Sequence, residues 1–196
     1  MTTSTLNQKA TIAHSAFVAA AKMQSDVKEV QAAKVLEATS QDEKAEFEKA
    51  RKRAETHETY NTKLAEMSVE ALNYLARKMS SVSAEKLAEQ SRELKKRSIK
   101  IIEALAHNKT VDDRALDAVL QRLAAKNDIT LSLTQIQKEM QHETTTQAQY
   151  FKTCAEFFSF ANYSKADKTL TFKYDAHVLA ELMKIYKRSE VSEVTE

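Results

Sequence analysis

Residues 40–75 read SQDEKAEFEKARKRAETHETYNTKLAEMSVEALNYL. Ser40 stands three residues before Glu43, the spacing at which a serine hydroxyl takes an orphan helical N–H and a carboxylate reaches back to the cap. Behind it Phe47, Ala50, Ala54, Leu64, Met67, Ala71, Leu75 and Val82 follow at steps of three, four or their multiples. That row is the apolar seam of a long helix paired with another. His57 and Asn61 sit at or beside seam positions, where a polar side chain sets register. The prevalence of alanine predicts close approach of the paired helices.

The reading extends outward in both directions. Upstream, Ile12, Phe17, Ala20, Val27, Val30 and Val35 recur at helical spacing and predict a helix from about Leu6 to Ala38, ended at Thr39 and Ser40. Downstream, Ser80, Ser81, Val82 and Ser83 either bend the helix or cap a new start with Glu85 in its first turn. Leu87, Ser91, Leu94, Ser98, Ile101 and Leu105 then carry a helical face to a stop near Asn108. Thr110 and Asp113 cap a further helix with Ala115, Leu116, Val119, Leu120 and Leu123 on one face. Ile129, Leu133, Ile136 and Met140 are expected to continue it past a weak point at Asn127 and Asp128.

Composition agrees with this pattern. The 196 residues contain no Gly, Pro or Trp. Tight hairpins, glycine C-caps and phosphate-cradling loops all draw on glycine or proline, whereas long helices lose least without them. The expected fold is therefore all-α: an elongated bundle of about four to five long helices in a single domain. It divides into a first helix (1–39), a long helical hairpin region (40–149) and an aromatic-rich hairpin with a C-terminal helix (150–196).

The last region differs from the rest. Tyr150, Phe151, Phe157, Phe158, Phe160, Tyr163, Phe172 and Tyr174 are 8 of the chain's 13 aromatic residues. Phe158 and Phe160 alternate with Ser159 and Ala161, and Leu170, Phe172 and Tyr174 alternate with Thr171 and Lys173, which predicts a short β-hairpin near 157–174. Asp175 is the expected cap of a last helix carrying Val178, Leu182, Ile185 and Tyr186.

Several chemistries lack their residues. Walker A and dinucleotide fingerprints require glycine. Cys154, the single cysteine, rules out an internal disulfide or a cysteine-held metal cluster, and among aromatics it behaves as a small hydrophobe. Glu139 with His142 is the one Glu-x-x-His, where a carboxylate-bridged di-iron bundle needs two. Glu103 with His107 is an ordinary helix-surface pair. No catalytic, metal or cofactor set is expected.

Net charge is +2, from 30 basic and 28 acidic residues, so bulk electrostatics selects neither nucleic acid nor anionic membrane. Locally, Arg92, Lys95, Lys96, Arg97 and Lys100 form a basic stretch opposed by Glu93, with Arg92, Lys95, Lys96 and Lys100 on one helical stripe. It suits an anionic surface or a solvated bundle face. No apolar run reaches the roughly 18 residues of a transmembrane helix, and the N-terminus lacks a basic n-region. The expectation is a soluble, cytoplasmic protein, with signal-less export left open.

The leading functional expectation is a non-catalytic interaction protein whose Tyr150–Tyr174 region engages a protein partner or a second copy, since aromatics with a polar rim are enriched at interfaces. A membrane-acting soluble component of an α-helical pore-forming toxin is the alternative, by architectural analogy. Nucleic-acid binding through the basic stretch is a third.

Overall fold

The computed structural model describes residues 3–78, 81–126, 128–139, 145–173 and 177–193. The described residues form mostly helix, with one small antiparallel sheet. They group into two compact units, Met1–Ile99 and Lys100–Glu196.

The first unit holds α1 (Thr3–Glu37), α2 (Gln41–Ala65), α3 (Val69–Lys78), α4 (Ser81–Glu89) and the start of α5 (Arg92–Ala106). The Ser40 capping box forms as expected: Ser40 Oγ accepts from the Glu43 N–H at 3.2 Å, and the Ser40 N–H donates to Glu43 Oε2 at 3.2 Å. The same carboxylate accepts from the N–H and hydroxyl of Thr39. These donors, the Ser40 backbone first, hold the Glu43 carboxyl below its usual range.

From that reversal α1 runs back along α2. Lys28 pairs with Glu58 at 2.5 Å, Lys34 stands over the Phe47 ring, and His14 Nδ1 meets the Ala65 carbonyl at 3.0 Å. Helix α1 also packs on α3 and α4. Its burial is nevertheless slight: of its described side chains only Ala13 and Phe17 are buried.

The seam expected to run unbroken to Val82 is divided. Helix α2 stops at Ala65, and Ser68 Oγ accepts from the Ala71 N–H at 3.1 Å to open α3. Residues 79 and 80 lie outside the described set. Ser91 Oγ likewise accepts from the Leu94 N–H, at 3.4 Å, to open α5. Serine hydroxyls competing for backbone N–H groups are the cause. The core of this unit is Phe17, Leu64, Leu72, Leu75, Leu87 and Leu94.

The second unit holds the end of α5, α6 (Arg114–Ala125), β1 (Asp128–Ser132), α7 (Leu133–Glu139), α8 (Thr145–Phe157), β2 (Ala161–Ser164), β3 (Thr169–Lys173) and α9 (His177–Glu193). Asn108 ends α5 in the left-handed region, φ 54°, with the Lys109 N–H returning to the Ala104 carbonyl at 2.8 Å. Asp113 caps α6 by accepting from the Leu116 N–H at 3.1 Å.

Residues 128–132 are a strand, not a continuation of α6. Strand β1 pairs antiparallel with β3, Ile129 opposite Phe172 and Leu131 opposite Leu170. Ile129 and Leu131 alternate at period two, and β3 supplies the hydrogen-bonding ladder that local propensity does not show. Ser132 then opens α7 through a second capping box with Gln135, at 2.7 and 3.1 Å. Met140 lies outside the described residues.

The expected hairpin is present as β2 and β3, within a sheet ordered β1-β3-β2. Its first strand begins later than expected. Phe158 to Phe160 close α8 instead: Ser159 takes φ 56° and the Phe160 N–H returns to the Ala155 carbonyl at 3.0 Å. Tyr174 and Asp175 lie outside the described residues.

Asn108, Ser159 and Lys168 all sit at positive φ. A β-carbon in that region costs roughly 1–2 kcal/mol, least for Asn. Ser159→Gly and Lys168→Gly are therefore each expected to stabilise the protein by about 0.5–1 kcal/mol after glycine's greater unfolded-state entropy is subtracted, measured by urea denaturation.

Candidate functional site

The eight aromatic residues part company in the structure. Phe151, Phe158, Phe160 and Phe172 are buried, and Phe151, Phe160 and Phe172 lie 6.2 to 6.5 Å apart, ring centre to ring centre. Phe158 stacks on Phe160 at 6.2 Å and meets Phe157 edge-on at 5.4 Å. With Ile129, Leu131 and Leu170 they fill the space under the inner face of the sheet. Tyr150, Phe157 and Tyr163 are half-buried, and Lys152 covers the Tyr163 ring at 4.0 Å. Phe160→Ala is expected to destabilise by about 3–5 kcal/mol and Tyr150→Ala by less than about 1 kcal/mol, a contrast that thermal unfolding reads directly.

The basic stretch is not a continuous exposed stripe. Arg92 donates to Glu93 at 2.8 and 2.6 Å, and Lys100 is held by Asp112 at 3.0 Å. Lys96 is exposed and Arg97 half-buried. Lys95 turns inward and is fully buried. The sign was available: Lys95 lies three residues before Ser98 and seven before Ile102, both fully buried, so it shares their helical face.

Lys95 belongs to a polar seam within the first unit. Its Nζ lies 3.1 Å from His57 Nδ1. Asn61, one turn beyond His57, is 1% exposed, and neither its amide nitrogen nor its oxygen has a partner among the described residues. Ser98, one turn beyond Lys95, is buried with its hydroxyl likewise unpaired. Buried polar groups left without partners are uncommon and destabilising.

Beside this seam lies a cavity of about 380 Å³. Helix α1 contributes Ala20, Met23, Gln24 and Val27; α2 contributes Ala50, Arg53, Ala54, His57 and Asn61; α4 contributes Ala88 and Glu89. The wall is mainly apolar, with Gln24, Arg53, His57, Asn61 and Glu89 as its polar groups. Neither His57 nor Asn61 stood out by motif; the only signal was their polarity on an otherwise apolar seam.

Burial governs the titration here. It pushes the Lys95 ammonium down to about 8 from the usual 10.5. It also lowers the His57 imidazole, with the Lys95 and Arg53 charges adding to the effect.

Among the described residues, no group of three or more His, Cys, Asp or Glu side chains is placed to hold a metal ion. Glu103 and His107 pair with each other at 3.2 Å; His142 and the Glu139 side chain lie outside the described set. No helix among the described residues is long and apolar enough to cross a membrane.

The buried ammonium yields a signed prediction. Between the folded value near 8 and the unfolded 10.5, the unfolded chain keeps a proton the folded chain has shed, so stability rises with pH across that window. The gain is on the order of 1–3 kcal/mol. Lys95→Met is expected to abolish that rise and to match or exceed wild-type stability at pH 7, measured by urea midpoints.

Comparison with protein-family models, curated proteins and solved structures finds no match to this chain.

Proposed function

We propose that the protein is a non-catalytic helical interaction protein that self-associates, α1 of one copy lying antiparallel on α1 of another. One observation carries this reading: among the described residues, six of the seven large hydrophobic side chains left exposed lie on α1, namely Ile12, Val18, Met23, Val27, Val30 and Leu36. Clustering on one element, not exposure as such, is what marks an interaction surface.

Ile12, Ala16, Ala19, Met23, Val27 and Val30 follow at steps of four, three, four, four and three. Continued to Lys34, that is two eleven-residue repeats, a period of about 3.67 that two nearly straight helices can share with little supercoil. Val18 and Leu36 fall outside this stripe. Paired antiparallel about Met23, the stripe sets Ala16 against Val30 and Ala19 against Val27, small against large, and brings Lys9 opposite Glu37. Such complementarity favours a second copy over an unrelated partner.

The Tyr150–Tyr174 region is the weaker docking candidate, since four of its rings are already occupied with one another. Nucleic-acid binding is disfavoured by the burial of Lys95 and the pairing of Arg92 and Lys100 with carboxylates.

Light scattering is expected to give twice the chain mass for wild type. Ile12→Glu with Val30→Glu should give the single-chain mass with an unchanged circular-dichroism spectrum. A wild-type protein that stays at the single-chain mass at every concentration would overturn the reading, and salt-insensitive flotation of that species with liposomes would assign the α1 stripe to a membrane surface.

A further inference from the structure

We propose that the cavity bounded by α1, α2 and α4 binds a small amphipathic monocarboxylate, its carboxylate held by His57 and Asn61 and its hydrocarbon chain lying against Met23 and Val27. The proposal goes beyond self-association and does not rest on it; Met23 and Val27 belong to both surfaces, so the ligand and a second copy are expected to compete for them.

Three observations converge on an anionic head. Asn61 lines the cavity, is 1% exposed, and has both amide atoms unpaired among the described residues, so it offers a buried donor that protein atoms leave unused. Lys95 is fully buried, and its only polar partner among the described residues is His57 Nδ1. An ammonium can only donate, so Nδ1 accepts and the ring hydrogen resides on Nε2. His57 thereby becomes a second donor on the cavity wall, with a buried positive charge behind it.

Among the described residues that charge has no carboxylate against it, a condition that favours an anion brought from outside. Arg53 adds positive charge to the wall. Glu89 is the one carboxylate lining the cavity, and it is exposed, so water screens it.

The remaining wall calls for an apolar body. Apart from its few polar groups it is built from alanines with Met23 and Val27, and its volume of about 380 Å³ falls within the range of small-molecule sites. Ordered water would serve Asn61 but would find few partners along the alanines. A short acyl chain suits that surface, and a carboxylate suits its polar end.

The test is calorimetric titration with octanoate and, separately, octanol, with methyl NMR to locate the site. It is run on wild type and on Val30→Glu, whose substituted side chain lies off the cavity wall. Octanoate is expected to bind saturably at one site in both proteins, more tightly in Val30→Glu where the competing contact between copies is weakened, shifting the Met23 methyl signal, with octanol weaker by about tenfold or more. Asn61→Ala should weaken octanoate about tenfold or more. Lys95→Met, which removes the charge without requiring a cavity, should weaken octanoate and leave octanol unchanged. Absence of saturable octanoate binding, equal affinity for octanoate and octanol, or full octanoate affinity in Lys95→Met would each overturn the proposal.

Discussion

Every reversal of this chain has to be made by residues that carry both a β-carbon and a backbone N–H, because glycine and proline are absent. The structure meets that constraint in two ways. Side-chain oxygens of Ser40, Ser68, Ser91, Asp113 and Ser132 take helical N–H groups at the starts. At the ends of α5 and α8 and in the β2–β3 loop, Asn108, Ser159 and Lys168 enter the left-handed region themselves. Helix starts are thus well provided for, while some chain reversals hold strain that glycine would remove.

The constraint also shapes how the helices bury themselves. A long helix formed by propensity need not have a partner on every side, and α1 is such a case. Phe17 and Ala13 anchor one face, the Lys28–Glu58 pair and the Lys34–Phe47 contact guide it along α2, and Ile12, Val18, Met23, Val27, Val30 and Leu36 stay in water. Exposure of this kind opposes the burial that stabilises folded chains. A covering surface would remove the conflict, which is why α1 bears the proposed interface.

In the same unit, the seam around Lys95 presents the converse problem. A buried ammonium facing an imidazole, beside an asparagine without partners among the described residues, is an unfavourable arrangement for stability alone. Hydrophobic residues of similar volume would pack there at less cost. A polar seam of this kind can fix helix register, and it also leaves hydrogen-bonding capacity unused beside a cavity. The two roles are compatible, because register depends on which groups face one another and binding depends on which donors remain unused.

Much of the fold was legible where the physics is local. The capping box at Ser40, the stop at Asn108, the cap at Asp113 and the alternation of Leu170 and Phe172 each follow from residues within a few positions of one another. The Ser132–Gln135 box was equally local and marked the start of α7; the apolar row through Ile129, Leu133 and Ile136 masked it. The helix breaks at Ser68 and Ser91 were obscured in the same way, since apolar periodicity continued across them.

Sequence by itself determined that the chain is predominantly helical, where several of its caps fall and that a short hairpin lies near the C-terminal end. Those outcomes depend on backbone sterics and on hydrogen bonds between near neighbours. Only the tertiary structure decided that residues 128–132 join the sheet, that four phenylalanines are core, that Lys95 faces inward on His57, and that one face of α1 remains bare. Each of these is settled by which distant residue arrives opposite, and no short-range pattern encodes that encounter.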